Sequence, residues 1–347
     1  MKKVFINGLS AIGAQPVFEG FAPEKFVLNN EETAFCPVQP SYKEMIAPGA
    51  IRRMAKGVKM GIYTAHHALK EANNPVPDAI IVGTGIGCIE DSEKFLNAII
   101  DNQEEFLTPT SFIQSTHNTV AGQIALEMGC KAYNFTYVNG IVSLETSIQD
   151  ALLQLQFENK KSILVGGVDE TAPTTVHIYK KVDRIKEYRD DEDFMHPTSK
   201  GTVYSEGAAF FVLETEKKEN SYAELTAVYS SNALSKEAVE QFLEQHQLSF
   251  SDIDVLFTGN DGSTQNESAY LAFEAYFPES IRAMSKHLSG HYHTASGFAL
   301  WSACHILKNQ EIPAVYRRNQ LQKSKLGTIL IYNYDQGNHG LILLKAC

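Results

Sequence analysis

Short apolar runs alternate with amphipathic stretches along most of this chain. "DAIIVGTGIG" (78–87) follows the helical pattern "KMGIYTAHHALKEA" (59–72), and "KSILVGGVDE" (161–170) follows "VSLETSIQDALLQLQ" (142–156). Aliphatic runs bounded by glycine predict strands buried on both faces, and the 3.6-residue periodicity between them predicts helices packed on a sheet. The fold class expected is therefore α/β. A polar stretch, "KKVDRIKEYRDDEDFMHPTSKG" (180–201), precedes the apolar strand "EGAAFFVLE" (206–214) and is expected to cross the surface around 178–202.

Beyond residue 215 the pattern starts again. "YAELTAVYSS" (222–231) reads as a strand, "SKEAVEQFLEQHQ" (235–247) as an amphipathic helix, and "SDIDVLFTGNDGST" (251–264) as a strand entering a glycine-bearing loop. Helices at 268–277 and 297–309 and strands at 327–334 and 340–347 complete it. Each half runs helix, buried strand, glycine loop ("IIVGTGIG", "VLFTGNDG"). A diverged duplication is expected, with halves 1–215 and 216–347.

Composition narrows the function classes. The 347 residues are 44% hydrophobic and 20% charged, as in ordinary globular proteins. No apolar run reaches the roughly 18 residues a membrane span needs. Lysines precede apolar residues in "MKKVFINGLSAIGA", but Asn7, Gly8 and Ser10 interrupt them, so a first strand running into a loop is expected rather than a leader. A net charge of −11 argues against nucleic acid as a partner. Locally, "RRMAKGVK" gathers Arg52, Arg53, Lys56 and Lys59 close to one helical face, either a solvated face or a docking patch for an acidic partner. Five scattered cysteines without CxxC spacing predict neither disulfide framework nor zinc knuckle, and a reducing, cytoplasmic setting.

Three motif-like stretches carry little. Gly83, Gly85 and Gly87 lack the spacing of a dinucleotide fingerprint and read as a tight strand-to-loop turn. His287, His291 and His293 lack the companion ligands of a metal site. "VYSEG" has Val203 where a nucleophile elbow needs glycine. No cofactor or metal is expected. "NFTYVNGIVSLETSIQDA" (134–151) differs: an extended run breaks at Asn139-Gly140 into a helix, a turn at which enzymes place nucleophiles.

Taken in order, these segments resemble the β-ketoacyl synthase family. "VFINGLSAIGA", "PGAIRRMAKGVKMGIYTAHHALKEA", "VGTGIGCIED", "PTSFIQSTHNTVAGQIALEMG", "SILVGGVDE", "SEGAAFFVLE", "SKHLSGHYHTASG" and "YNYDQGNHGLILL" follow the family's sequence of motifs over nearly the whole chain. The resemblance implies a thiolase-like, layered α-β-α-β-α fold and an acyl-transfer ancestry. In that ancestry a cysteine takes the acyl group, while two histidines, a lysine and a Gly-Phe-Gly-Gly loop assist.

Carried over residue by residue, most of that chemistry is missing. The nucleophile, three residues before Gly140, becomes Tyr137, whose phenol (pKa about 10) is a poor nucleophile at neutral pH. In "NDGST", the counterpart of a His-Gly-Thr-Ser-Thr loop, Asn260 stands for the first histidine. Lys286 and His291 are retained. Asp335 and Gln336 replace Phe and Gly of the glycine loop, and only Gly337 matches its second glycine pair. Cys88, Cys304 and Ser143, the candidate substitutes for the nucleophile, read as packing residues.

The reading that follows is a catalytically degenerate homologue of the chain length factor type, as in aryl polyene, flexirubin-type or type II polyketide systems. It would pair with an active ketosynthase, meet acyl carrier protein indirectly and shape a cavity for an acyl chain, with Tyr137 as a plug. Two alternatives stand beside it. One is a residual enzyme: a ketosynthase with an unusual active site, or a malonyl or acyl decarboxylase using His291, Lys286 and Asn260, since decarboxylation needs enolate stabilisation more than a nucleophile. The other is a homodimeric acyl-binding scaffold.

Overall fold

The computed structural model describes residues 2–28, 32–187, 194 and 196–347. Part of the expected surface excursion, 188–193 and 195, lies outside the described residues. The first five strands are β1 (Phe5–Ile12), β2 (Ala79–Gly83), β3 (Tyr133–Tyr137), β4 (Ser162–Asp169) and β5 (Gly207–Glu214). The second five are β6 (Ala223–Ser231), β7 (Val255–Thr258), β8 (Ile281–Met284), β9 (Thr328–Asp335) and β10 (Asn338–Lys345). Their order is β3-β2-β4-β5-β1-β6-β10-β9-β7-β8. From either edge inward the path is the same, 3-2-4-5-1 and 8-7-9-10-6. In each set the outer three strands are parallel and the next two antiparallel. The sets meet where Phe5 and Ile6 pair with Glu224 and Ala223.

Helices α1 (Pro48–Ile51), α2 (Lys56–Glu71), α3 (Ile89–Asp101), α4 (Pro109–Ser115), α5 (Thr119–Glu127), α6 (Ser143–Phe157) and α7 (Pro173–Lys181) belong to the first half. Helices α8 (Lys236–Glu244), α9 (Glu267–Glu274), α10 (Lys286–Ser289) and α11 (Ser296–Asn309) belong to the second. The middle layer is α6 and α11: Leu144, Ile148 and Leu155 share one core with Phe298, Trp301 and Leu307 and with inward residues of both strand sets. On the outer faces, α2 and α5 cover the first set and α8 and α9 the second. This is the layered α-β-α-β-α arrangement. It explains why "EGAAFFVLE" shows no polar alternation. In β5, Phe211 and Leu213 enter the middle core, whereas Phe210 and Val212 meet α2, so both faces are dry.

The first strand, β1, runs from Phe5 through Asn7, Gly8 and Ser10 to Ile12 before its loop, with a register shift between Ile6 and Gly8. Asn7 is tolerated inside because its amide bonds Glu214 and accepts from Ser221. One local expectation changes: the four basic residues do not share a helical face. Arg52 and Arg53 lie in the turn between α1 and α2, and only Lys56 and Lys59 are helical.

Candidate functional site

At the carboxyl end of β4 the buried Asp169 fastens two loops from opposite halves. One carboxylate oxygen accepts from the amides of Gly85 (2.7 Å) and Ile86 (3.0 Å) and the Thr84 hydroxyl (2.9 Å). The other accepts from the Thr294 amide (3.0 Å) and hydroxyl (2.9 Å). The loop after β2 is thus locked to the segment leading into α11.

That segment carries Lys286 and His291. Lys286 occupies the one-turn helix α10, and Gly290, at φ +68°, makes the left-handed turn that follows. His291 is set by backbone bonds to both neighbours of Tyr204: its amide donates to the Val203 carbonyl (2.7 Å), and its carbonyl accepts from Ser205 (2.9 Å). Lys286 Nζ lies 3.1 Å from His291 Nδ1 and 3.2 Å from Asn333 Oδ1. Burial, then the neighbouring Lys286, holds the His291 imidazole well below its usual range, so it is neutral at pH 7. Burial also lowers Lys286, against the opposing pull of Asp261, Asp335 and Glu145. With Lys286 donating to Nδ1, the proton of the neutral ring sits on Nε2.

His291 lines a small polar cavity of about 40 Å³ with Tyr204, Asp261, Asn266, His293, Asp335 and Arg184. The Asn266 amide donates to both acids, 2.8 Å to Asp261 and 3.2 Å to Asp335. Burial raises Asp261, offset by Lys286. Arg184 reaches across the mouth to bond Gln336 (2.8 Å). The wall is rich in charge and poor in aliphatic surface, so in this form the space suits small polar groups.

Several expected site residues sit elsewhere. Asn260 is fully buried but does not face the cavity; its Oδ1 accepts from the Gly262 amide (3.1 Å), and the next residue, Asp261, takes the exposed-to-cavity position. Tyr137 is no plug. It packs on the middle core beside Phe135, with ring centroids 4.9 Å apart, and its hydroxyl is drawn to Asp150 and Tyr133 rather than to His291. The alternation of β3 explains this: residues 133, 135 and 137 share a face. Asp335 lines the site together with Gln336, in a two-residue hairpin whose Gln336 (φ +47°) and Gly337 (φ +84°) are both left-handed; Gly337 itself is not part of the cavity wall.

The remaining candidates are structural. Ser143 donates to the Thr84 carbonyl (2.9 Å) and accepts from Asn139 (2.8 Å), closing the turn after β3. Cys88 and Cys304 are buried in separate cores. Of the three histidines His287 stands apart, held by the Val315 carbonyl (2.9 Å), while His293 lines the cavity with His291 and packs against Gly85. Sequence reasoning missed Asp169, Glu145, Asn333, Asp261 and Arg184.

Residues 35–219 match the family model "Beta-ketoacyl synthase, N-terminal domain". A 3-oxoacyl-[acyl-carrier-protein] synthase 2 of Staphylococcus aureus (strain N315) is 24% identical over 189 residues, 50% of this chain and 46% of that protein. The chain thus spans about half the length of the curated relatives it matches. Among solved structures, a beta-ketoacyl synthase from Burkholderia phymatum STM815 is 16% identical at TM-score 0.81, with 100% of both chains covered. The ishigamide ketosynthase/chain length factor is 15% identical at TM-score 0.82, covering 100% of this chain and 99% of that one.

Proposed function

The chain belongs to the β-ketoacyl synthase family, and from that premise we propose that it is a catalytically degenerate member acting as the chain-length-factor-like partner of an active ketosynthase. One observation carries the reading: the Lys286–His291 pair is intact, yet no cysteine is among the residues lining its cavity. A neutral imidazole and a lysine can polarise a carbonyl but cannot hold an acyl group covalently. The first histidine's role is also vacant, since Asp261 stands there instead of an imidazole. A neighbour described as a ketosynthase/chain length factor supports the pairing. So does the outer strand β3, whose Phe135 is exposed and is followed by exposed Val138. The test is co-expression with a candidate ketosynthase. Co-elution and a changed product length are expected; separate elution with unchanged products would defeat the reading.

Tyr137→Cys is expected not to restore acyl transfer, because that position faces Asp150 and not His291. Its alkylation by iodoacetamide should be no faster than that of an ordinary half-buried thiol. A rate accelerated tenfold or more would place the side chain at the catalytic turn and reopen the enzyme reading.

The decarboxylase reading draws on the same lysine–histidine pair, with Asp261 in place of the expected Asn260. Carbon dioxide release from malonyl carrier protein, reduced at least a hundredfold by His291→Ala, is its expected sign. No release by the wild-type chain would remove it.

A groove of about 630 Å³ is lined by Arg52, Arg53, Lys56, Lys59 and Lys94, with Glu90 and Asp91 among them. Lys56 is committed to Glu206 (2.6 Å) and Lys94 to Glu90 (2.8 Å), which leaves Arg52, Arg53 and Lys59 to meet an acidic carrier.

A further inference from the structure

Beneath the cavity, the first half of the chain sends one acid into the site. Glu145, in the first turn of α6, is fully buried, although its neighbours in the helix are ordinary core residues. The fold makes room for it: a Cβ on Gly340 of β10 would lie 2.8 Å from Glu145 Oε1, so the strand passes its carboxylate only as glycine. The Asn333 side chain links it to the lysine. Asn333 Oδ1 accepts from Lys286 (3.2 Å), while its Nδ2 donates to the Ile141 carbonyl (3.1 Å) and faces Glu145 Oε1 at 3.4 Å. The other carboxylate oxygen, Oε2, has no solvent contact, and the Ser296 hydroxyl also faces the carboxylate. A carboxylate buried this deeply is a costly group to retain for packing alone.

We propose that Glu145, acting through Asn333, is a positioning residue that keeps Lys286 protonated and thereby fixes His291 in the tautomer presenting Nε2–H. The proposal rests on the site assembled around Lys286 and His291, and not on whether that site turns substrate over. Three acids bear on Lys286: Asp261 from the loop after β7, Asp335 from the end of β9, and Glu145 from α6. The first two line the cavity and are shared by Asn266, so their charge is exposed to whatever enters. Glu145 is the one sealed from it, and it comes from the opposite half of the molecule. His291 is additionally faced by His293 and Arg184, which oppose any positive charge on its ring. Burial pushes the Glu145 carboxyl up to about 7, so its charge, and with it the hold on Lys286, changes near neutral pH.

The test is nitrogen-15 NMR of histidine-labelled full-length protein, with the His291 signals assigned by their loss in His291→Gln. Wild-type protein should show His291 as the Nε2–H tautomer, lost at a defined high-pH midpoint as Lys286 releases its proton. Glu145→Gln, of nearly equal volume, should lower that midpoint by at least one pH unit. Glu145→Asp, which keeps the charge, should restore it at least in half. Lys286→Met should abolish the transition. If Lys286→Met leaves the His291 signals unchanged, the lysine–histidine site itself is what fails. If Lys286→Met acts but Glu145→Gln leaves the midpoint in place, the role given to Glu145 is overturned.

Discussion

Replacing Asp169 with alanine is expected to destabilise the protein by about 4 kcal/mol, among the largest effects of any single substitution. The change strands the amides of Gly85, Ile86 and Thr294 and the hydroxyls of Thr84 and Thr294, all of which donate to this one carboxylate. Each buried donor left without a partner costs about 1–3 kcal/mol, and water entering the gap offsets part of the sum. Asp169→Asn should lose roughly half as much, about 2 kcal/mol, because one amide oxygen still accepts while the amino group opposes the other donors. The urea midpoint of unfolding measures both. An alanine variant within about 1 kcal/mol of wild type would mean that the two loops are held by something other than Asp169.

The layers were legible in the sequence because burial on both faces leaves continuous apolar strands, as in "EGAAFFVLE", and helices of 3.6-residue period between them. Lys286 and His291 were legible for a different reason. Their five-residue spacing is bridged by one short helix and one glycine turn, so local sequence alone brings them together. Asp169, Asn333 and Glu145 were not legible, since each acts on a partner more than 40 residues away and nothing local marks it. A signal for Glu145 existed in its own helix: a charged residue between Leu144 and Ile148 interrupts the apolar stripe facing the middle core.

Asn260 and Tyr137 show how motif position and side-chain direction separate. In a His-Gly-Thr-Ser-Thr loop the histidine directly precedes the glycine, and here the residue before Gly262 is Asp261. Counting from the glycine finds the group that lines the cavity; counting from the start of "NDGST" finds a buried amide. For Tyr137, distance from Gly140 was the guide, but strand alternation sends its ring to the face shared with Tyr133 and Phe135. A bulky aromatic ring can pack against the edge of α6, whereas a cysteine side chain would be too short to reach Asp150.

Phe135→Asp is expected to weaken assembly with a ketosynthase partner at least about 100-fold, or about 3 kcal/mol. β3 is the outer strand of the first set, paired on one side to β2 and, among the described residues, to no strand on the other. Soluble proteins blunt such edges with charge, proline or a covering element. This one carries Tyr133, Phe135 and Tyr137 in sequence alternation, followed by Val138, half exposed. Exposed Phe106, Phe112 and Ile113 around α4 extend the apolar surface. A strand from a second, homologous chain can complete the edge by backbone bonds, with the aromatic face packing across it. An aspartate at 135 would bury an unpaired charge within that contact while leaving the fold of the free chain untouched, because Phe135 is exposed there. Leu271→Asp, exposed on α9 of the other half, is the control and should leave assembly intact. Analytical ultracentrifugation of the co-expressed pair reads the outcome: a complex undiminished by Phe135→Asp would remove the edge of β3 from the interface and, with it, the strongest physical argument for a partner.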